Sequence, residues 1–149
     1  MHTKYRGLLL LKAFLKQCPL DIFEQKATLW INLCTKVCAQ RKPGNAVGLA
    51  YDVLGDILEI SVHIPELAKS IPLSKIIETI FELQSNQLAA LKFVNVAIKL
   101  YPGTSGLQKM TIEKYVLACV DSQDKTLVLE CGKTLTLLQQ VSARLRLLH

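Results

Sequence analysis

The clearest pattern of apolar and polar residues in the chain lies in the stretch Gln87–Gly106. Nearly all of its first fifteen residues are apolar or small, and the polar exceptions inside it are Lys92, Asn95 and Lys99. These three are spaced i, i+3 and i+7, so on a helix they share one narrow stripe. The pattern therefore predicts an inner helix that faces solvent along this stripe and is covered by other helices elsewhere.

The sequence also predicts where this helix ends, at the segment 101–106 with the sequence Tyr-Pro-Gly-Thr-Ser-Gly. Pro102 has no amide hydrogen to donate, and its ring disfavours the helical conformation at Tyr101. Thr104 or Ser105 is expected to cap the helix that follows.

Six further helices are predicted from apolar residues at helical spacing and from the Pro, Gly and Asp residues between them. Their expected ranges are about 3–18, 21–40, 45–62, 73–83, 106–120 and 124–140. A short helical turn within 64–72 is expected to connect the third helix to the fourth, and the helical pattern continues through 141–149.

The first two predicted helices carry apolar residues that are expected to face the core, whereas Lys12 and Lys16 face water. In the first helix these apolar residues are Leu8, Leu11, Phe14, Leu15 and Cys18. In the second helix they are Ile22, Phe23, Leu29, Trp30, Leu33, Val37 and Cys38. Asp21, with Glu24 three residues later, is expected to cap the start of the second helix.

The helices predict an all-α fold. They fall into antiparallel pairs, the second with the third, the fourth with the fifth and the sixth with the seventh. Successive pairs start roughly 35 to 50 residues apart, which is in the range of HEAT and armadillo repeats. We therefore expect a right-handed α-solenoid of HEAT or armadillo type, forming one domain over residues 1–149. Because the last helix reaches the end of the chain without a cap, we expect this domain to be a fragment of a longer solenoid.

The charge of the chain is unevenly distributed along its length. Residues 1–42 carry a net charge of +6, residues 43–91 carry −4 and residues 92–149 carry +4. Ordinary solvated helix faces account for this pattern, and so does contact of the basic zones with RNA or an acidic partner. The candidate contact residues are Lys4, Arg6, Lys12, Lys16, Arg41 and Lys42.

Candidate chemistry is sparse, and no enzyme is expected. The five cysteines are an odd number on apolar helix faces, which is typical of reduced cysteines in the cytosol or nucleus. Cys34 and Cys38 are four residues apart on one helix, but no second Cys or His pair completes a zinc site, so we expect neither metal nor cofactor. The acidic row Asp52, Asp56 and Glu59 has the spacing of a solvated helix face. No apolar run approaches the roughly 20 residues of a membrane span.

One short motif lies in the third helix. Leu54, Ile57 and Leu58 form a degenerate LxxLL box, the amphipathic motif that docks into hydrophobic grooves. Since this helix is predicted to belong to the core, burial of the box is the simpler interpretation.

Several short motifs, in their order and spacing, resemble one known family over nearly the whole chain. They are Arg6-Gly-Leu before the leucine run, Leu20-Asp-Ile-Phe-Glu-Gln with Trp30, Val53-Leu54-x-x-Ile57-Leu58, Ile64-Pro-Glu-Leu67, Tyr101-Pro102, Gly106-Leu-Gln-Lys109 and Leu129-Glu-Cys131. The chain resembles the N-terminal helical domain of the proline-, glutamic acid- and leucine-rich protein family, whose yeast counterpart is the Rix-type pre-rRNA-processing subunit.

The resemblance implies a non-enzymatic scaffold in the nucleus, nucleolus and nucleoplasm. Such a scaffold would act in maturation of the large ribosomal subunit, including processing of an internal spacer of the pre-rRNA, and animal members also co-regulate transcription. The implied partners are a WD-repeat β-propeller, a second HEAT-type subunit and the ATPase midasin, on the pre-ribosome. The residues themselves leave two alternatives open. These are direct RNA binding through the basic faces and an unrelated HEAT or armadillo adaptor.

The uncapped last helix leads to a first prediction, because an apolar end face in a solenoid is normally covered by the next repeat. We expect the isolated chain to be helical and to self-associate. Sedimentation at increasing protein concentration measures this. A monomer whose sedimentation does not depend on concentration would contradict it.

Overall fold

The computed structural model describes residues 2–40, 45–83 and 86–148, and over these ranges the chain is all-helical with no strand. The helices are α1 (His2–Leu15), α2 (Leu20–Cys38), α3 (Asn45–Ser61), α4 (Pro65–Ser70), α5 (Leu73–Leu83), α6 (Gln87–Leu100), α7 (Pro102–Leu107), α8 (Lys109–Cys119) and α9 (Lys125–Leu148). The predicted all-α class is confirmed for the described residues.

Helices α3 and α6 hold the fold together. Helix α3 packs against α1, α2 and α6, and α6 packs in turn against α9. Each predicted pair is also in contact, namely α2 with α3, α5 with α6 and α8 with α9. Helices α1, α3, α6 and α9 therefore touch one another in that order, and α2, α5 and α8 pack behind them.

The core follows these contacts. The rings of Tyr51 on α3 and Phe93 on α6 lie with centroids 6.2 Å apart. On the other side, Phe81 of α5 and Tyr115 of α8 stack at 4.2 Å. Burial of a large apolar side chain contributes about 1.5–3 kcal/mol. The prediction that α6 is an inner helix is confirmed, because seven of its residues are buried.

The predicted solvent stripe of α6 is only partly correct. Lys92 and Lys99 are exposed, but Asn95 between them is only 7% exposed. Helix α9 packs against this side of α6 and covers Asn95. A stripe of polar residues indicates solvent exposure only where no neighbouring helix offers them hydrogen-bond partners. Here α9 provides such partners for Asn95.

The segment after α6 differs from the prediction in two respects. Tyr101 leaves the helical region, with φ −129° and ψ 64°, as expected before Pro102. However, a short helix, α7, begins at Pro102 itself, because proline is well tolerated at the first position of a helix. The predicted cap by Thr104 or Ser105 is wrong, since both lie inside α7 and α8 follows Gln108 without a side-chain cap.

The start of α2 and the apolar faces of the first two helices also differ from the prediction. Helix α2 begins at Leu20, after Pro19 and with no side-chain cap, so Asp21 lies in the first turn. There its negative charge interacts favourably with the positive N-terminal end of the helix dipole. Four apolar residues expected in the core are exposed instead: Phe14, Ile22, Leu29 and Leu33. The buried side of α2 is an adjacent stripe that contains Phe23 and Ala27, and α2 packs against α3 and α5.

The degenerate LxxLL box lies in the core. Leu54 and Leu58 are each 2% exposed, and Ile57 is fully buried. These side chains pack against the neighbouring helices and present no docking surface in this fold.

Cys34 and Cys38 are also buried, and burial raises the pKa of both thiols to about 12. Burial therefore keeps both thiols protonated to a higher pH than an exposed cysteine. Among the described residues, no group of three or more His, Cys, Asp or Glu side chains converges on a possible metal position.

This burial predicts a loss of stability at high pH. In the unfolded chain the Cys34 thiol ionises near its ordinary pKa of 9.0, whereas the folded protein keeps the proton up to about pH 12. The contribution is therefore fully present below pH 9 and falls as the pH rises towards 12. Between pH 9 and about 10.5, the free energy of unfolding of a Cys34→Ala variant should fall by about 1 kcal/mol less than that of the parent. Urea denaturation followed by circular dichroism measures both, and parallel curves would contradict the prediction.

Candidate interaction surfaces

The structure separates the basic residues that were candidates for RNA contact. Arg6 and Lys16 are exposed near opposite ends of α1, and Lys4 borders a groove between α1 and α2. Arg41 and Lys42 lie outside the described residues. The remaining candidate, Lys12, is engaged with an acidic residue of α3. The described members of the set therefore do not form one cluster.

Lys12 makes an ion pair that joins α1 to α3. Its Nζ lies 3.2 Å from Oδ2 of Asp56, and both side chains are about a third exposed, at 34% and 35%. An ion pair with this exposure contributes about 0–1 kcal/mol to stability. Its main consequence is that the Lys12 ammonium group is already paired within the fold. Asp52 and Glu59 of the same acidic row are exposed, as a solvated face predicts.

A buried polar network joins α6 to α9. Asn95 donates through Nδ2 to Oε2 of Glu130 at 2.9 Å. Its Oδ1 accepts a hydrogen bond from the Thr134 hydroxyl at 2.6 Å. Lys133 donates to the other Glu130 oxygen at 3.1 Å, so the buried carboxylate has a partner for each oxygen. A network satisfied in this way avoids the cost of a buried unpaired charge.

Above this network lies a cleft of about 460 Å³ between α6 and α9. Lys92, Lys99 and Lys133 line it. A smaller cavity of about 140 Å³ adjoins it at Lys99 and is also lined by Arg144. We call these four residues the basic cleft. The sequence predicts that Lys92 and Lys99 are solvated, without a connection to α9. A basic surface shared by two helices could have been predicted from their spacing of seven residues together with the cations of the last helix.

A second groove, of about 520 Å³, lies between α1 and α2 and is largely apolar. Its apolar lining consists of Leu8, Leu11, Trp30, Leu33 and Val37. Lys4, Lys36 and Gln40 border it, and Gly7 forms part of its wall. We call this the apolar groove.

Helices α1 and α2 both pack on α3, and the apolar groove lies between them. Trp30 stands between them, with its ring 6.1 Å from that of Phe14 and 6.0 Å from that of Phe23. Around the groove, Phe14 and Leu33 are 45% and 49% exposed. The residues that sequence reasoning had placed in the core thus form an apolar surface at this end of the molecule.

No helix within the described ranges is both long enough and apolar enough to cross a membrane.

Comparison with known families decides the classification of the chain. A family model described as rRNA processing/ribosome biogenesis, RIX1, matches residues 2–127. The chain belongs to the RIX1 family. The match extends from α1 into the start of α9, so it includes both the apolar groove and the α6 side of the basic cleft.

The RIX1 assignment agrees with two curated relatives. The chain is 24% identical to proline-, glutamic acid- and leucine-rich protein 1 of Xenopus laevis over 127 residues, which cover 83% of this chain. It is also 24% identical to the protein of the same name from Mus musculus over 138 residues, or 88% of this chain. In each comparison the match spans 12% of the relative's length. The resemblance seen in the sequence is thereby confirmed, and RIX1 membership supports a role in rRNA processing and ribosome biogenesis.

The buried network predicts strong coupling between Asn95 and Thr134. Replacing Asn95 by alanine leaves one oxygen of the buried Glu130 carboxylate without its donor, and the Thr134 hydroxyl keeps only the Glu130 carbonyl as an acceptor. We expect this to cost about 1–3 kcal/mol. A Thr134→Val change in the Asn95→Ala background should cost less than it does alone, by about 0.5 kcal/mol or more. Urea denaturation of the two single variants and the double variant measures this coupling. Additive effects would contradict the hydrogen-bonded network.

Proposed function

We propose that this chain is a non-enzymatic scaffold module of a nuclear and nucleolar assembly that matures the large ribosomal subunit. The observation that carries the proposal is the RIX1 match over residues 2–127. The fold supports it, because the candidate surfaces on the described residues are grooves between helices, a form suited to binding other macromolecules.

The arrangement of helices supports the scaffold role. Contacts run from α1 to α3, from α3 to α6 and from α6 to α9, so each helix of this row meets the next. Such a one-dimensional stack is typical of α-solenoids, which present long surfaces to several partners. We propose that the chain is a segment of a right-handed solenoid of this kind.

The partners that we propose follow from the family resemblance. They are a WD-repeat β-propeller subunit, a second HEAT-type subunit and the ATPase midasin, assembled on a pre-ribosome that processes an internal spacer of the pre-rRNA. A role in transcriptional co-regulation is supported by the resemblance alone.

Direct contact with RNA is a second candidate function, and the basic cleft favours it. Four cations of α6 and α9 line this surface, and the Glu130 carboxylate is already bonded to Asn95 and Lys133. Lysines placed in this way bind phosphates without reading base sequence. The basic cleft is thus better placed for RNA than the residues of α1.

The test is affinity purification of the full-length protein from nuclear extract, with and without nuclease, followed by mass spectrometry. We expect the three proposed partners to remain bound after nuclease treatment. A Lys92→Glu and Lys99→Glu double variant, which leaves Lys133 in place beside Glu130, should retain these proteins and lose RNA. A Lys69→Glu and Lys75→Glu variant, with exposed lysines of α4 and α5 changed, is the matched control.

Loss of all partners on nuclease treatment would contradict the scaffold function and favour RNA binding as the main function. Recovery of transport or vesicle-coat proteins instead would contradict the proposed role in ribosome assembly.

A further inference from the structure

We propose that the apolar groove between α1 and α2 binds one acidic amphipathic helix of a partner protein. The inference rests on the proposed scaffold function for its biological setting, and the chemistry of the groove supports it independently.

The floor of the groove requires an apolar occupant. Leu8 and Val37 form part of the folded core, and Leu33 remains 49% exposed. Trp30 supplies a large half-buried ring between α1 and α2. Contiguous apolar surface in a concave position marks an interaction site rather than ordinary protein surface.

The border of the groove requires negative charge. Lys4 and Lys36 line it, and none of its described lining residues is acidic. Helix α1 contains no Asp or Glu at all, and its Arg6 is an additional exposed cation. The acidic residues of α2 nearest its start, Asp21 and Glu24, lie more than one turn before Trp30, the first lining residue of that helix. An acidic partner is therefore attracted and a basic one repelled.

The shape of the groove favours a helix. The lining residues extend from Lys4 to Leu11 on α1 and from Trp30 on α2 to Gln40, two residues beyond its end. At about 1.5 Å per residue these stretches are roughly 10 Å and 15 Å long, which matches about two to three turns of a docked helix. Helix-in-groove recognition uses apolar anchors at i, i+3 or i+4, and i+7, with the polar face directed to the border.

Two other occupants fit the groove less well. A second copy of this chain, docked symmetrically, would place Lys4 and Lys36 close to the same residues of its partner. RNA has the right charge, but its backbone offers no aliphatic surface to cover Leu33 and Val37. Both occupants give different results in the experiment below.

The experiment uses Trp30 as a reporter, because it is the only tryptophan in the chain and lies in the groove. The probe is a synthetic helix of about 16 residues, with leucine at i, i+3, i+4 and i+7 and glutamate on the opposite face. A matched peptide carries lysine in place of every glutamate. We expect the acidic peptide to shift the Trp30 emission to the blue with a micromolar Kd. The lysine peptide should bind at least about tenfold more weakly, and about 0.5 M salt should reduce the difference.

Two glycine variants locate the binding. A Cβ atom built on Gly7 or on Gly132 meets no atom within 4 Å, so both positions accept a side chain without a clash. Gly7→Glu places bulk and negative charge in the wall of the groove. We expect it to lower the affinity for the acidic peptide by at least about tenfold. Gly132→Glu, at an exposed position on α9, is the matched control and should leave the affinity unchanged. Lys36→Glu should invert the preference in favour of the lysine peptide.

Three outcomes would overturn the proposal. Equal binding of the two peptides would show adsorption to an apolar surface without charge selection. A single-stranded RNA oligonucleotide that shifts Trp30 emission while the acidic peptide does not would assign the groove to RNA. Self-association that Gly7→Glu abolishes and Gly132→Glu leaves intact would assign it to a second copy. None of these results depends on nuclear partners, so failure here and failure of the proposed scaffold function are distinguishable.

Discussion

The fold depends on the position of α6, which packs against α3 on one side and α9 on the other. Because α6 is covered on both sides, it sets the relative positions of all the helices that carry the surfaces. The two contacts are chemically different. Tyr51 and Phe93 place aromatic rings between α3 and α6, whereas Asn95 and Glu130 place a hydrogen-bonded pair between α6 and α9.

The sequence predicted much of this fold, because helical spacing shows directly in the pattern of apolar residues. It identified α6 as an inner helix and predicted the exposure of Asp52 and Glu59 on α3, but not the pairing of Asp56 with Lys12. It failed where two stripes on one helix are equally apolar. On α2, spacing alone cannot decide whether the stripe with Leu29 or the stripe with Ala27 meets α3. Only the tertiary contact decides, and it leaves Leu29 exposed.

The candidate surfaces were less predictable, because each is formed by two helices distant in sequence. The basic cleft needs Lys99 from α6 and Lys133 from α9, and the apolar groove needs Leu8 from α1 and Trp30 from α2. The candidates chosen from charge alone lay within the first 42 residues, and Lys12 among them is bonded to Asp56. Family membership supports a role of the chain in ribosome biogenesis, which neither charge nor periodicity indicates.

The difference between the two faces of α6 has a mechanical consequence. Sliding α9 along α6 by one helical turn, about 5.4 Å, would separate Asn95 from Glu130 and leave a buried carboxylate short of a donor. A Cβ atom built on Gly55 of α3 would lie 4.0 Å from Cγ1 of Val96 on α6, an ordinary van der Waals separation, and the same interface contains the Tyr51 and Phe93 rings. The register of α9 on α6 is therefore held by directional hydrogen bonds, whereas that of α3 on α6 rests on the fit of apolar side chains.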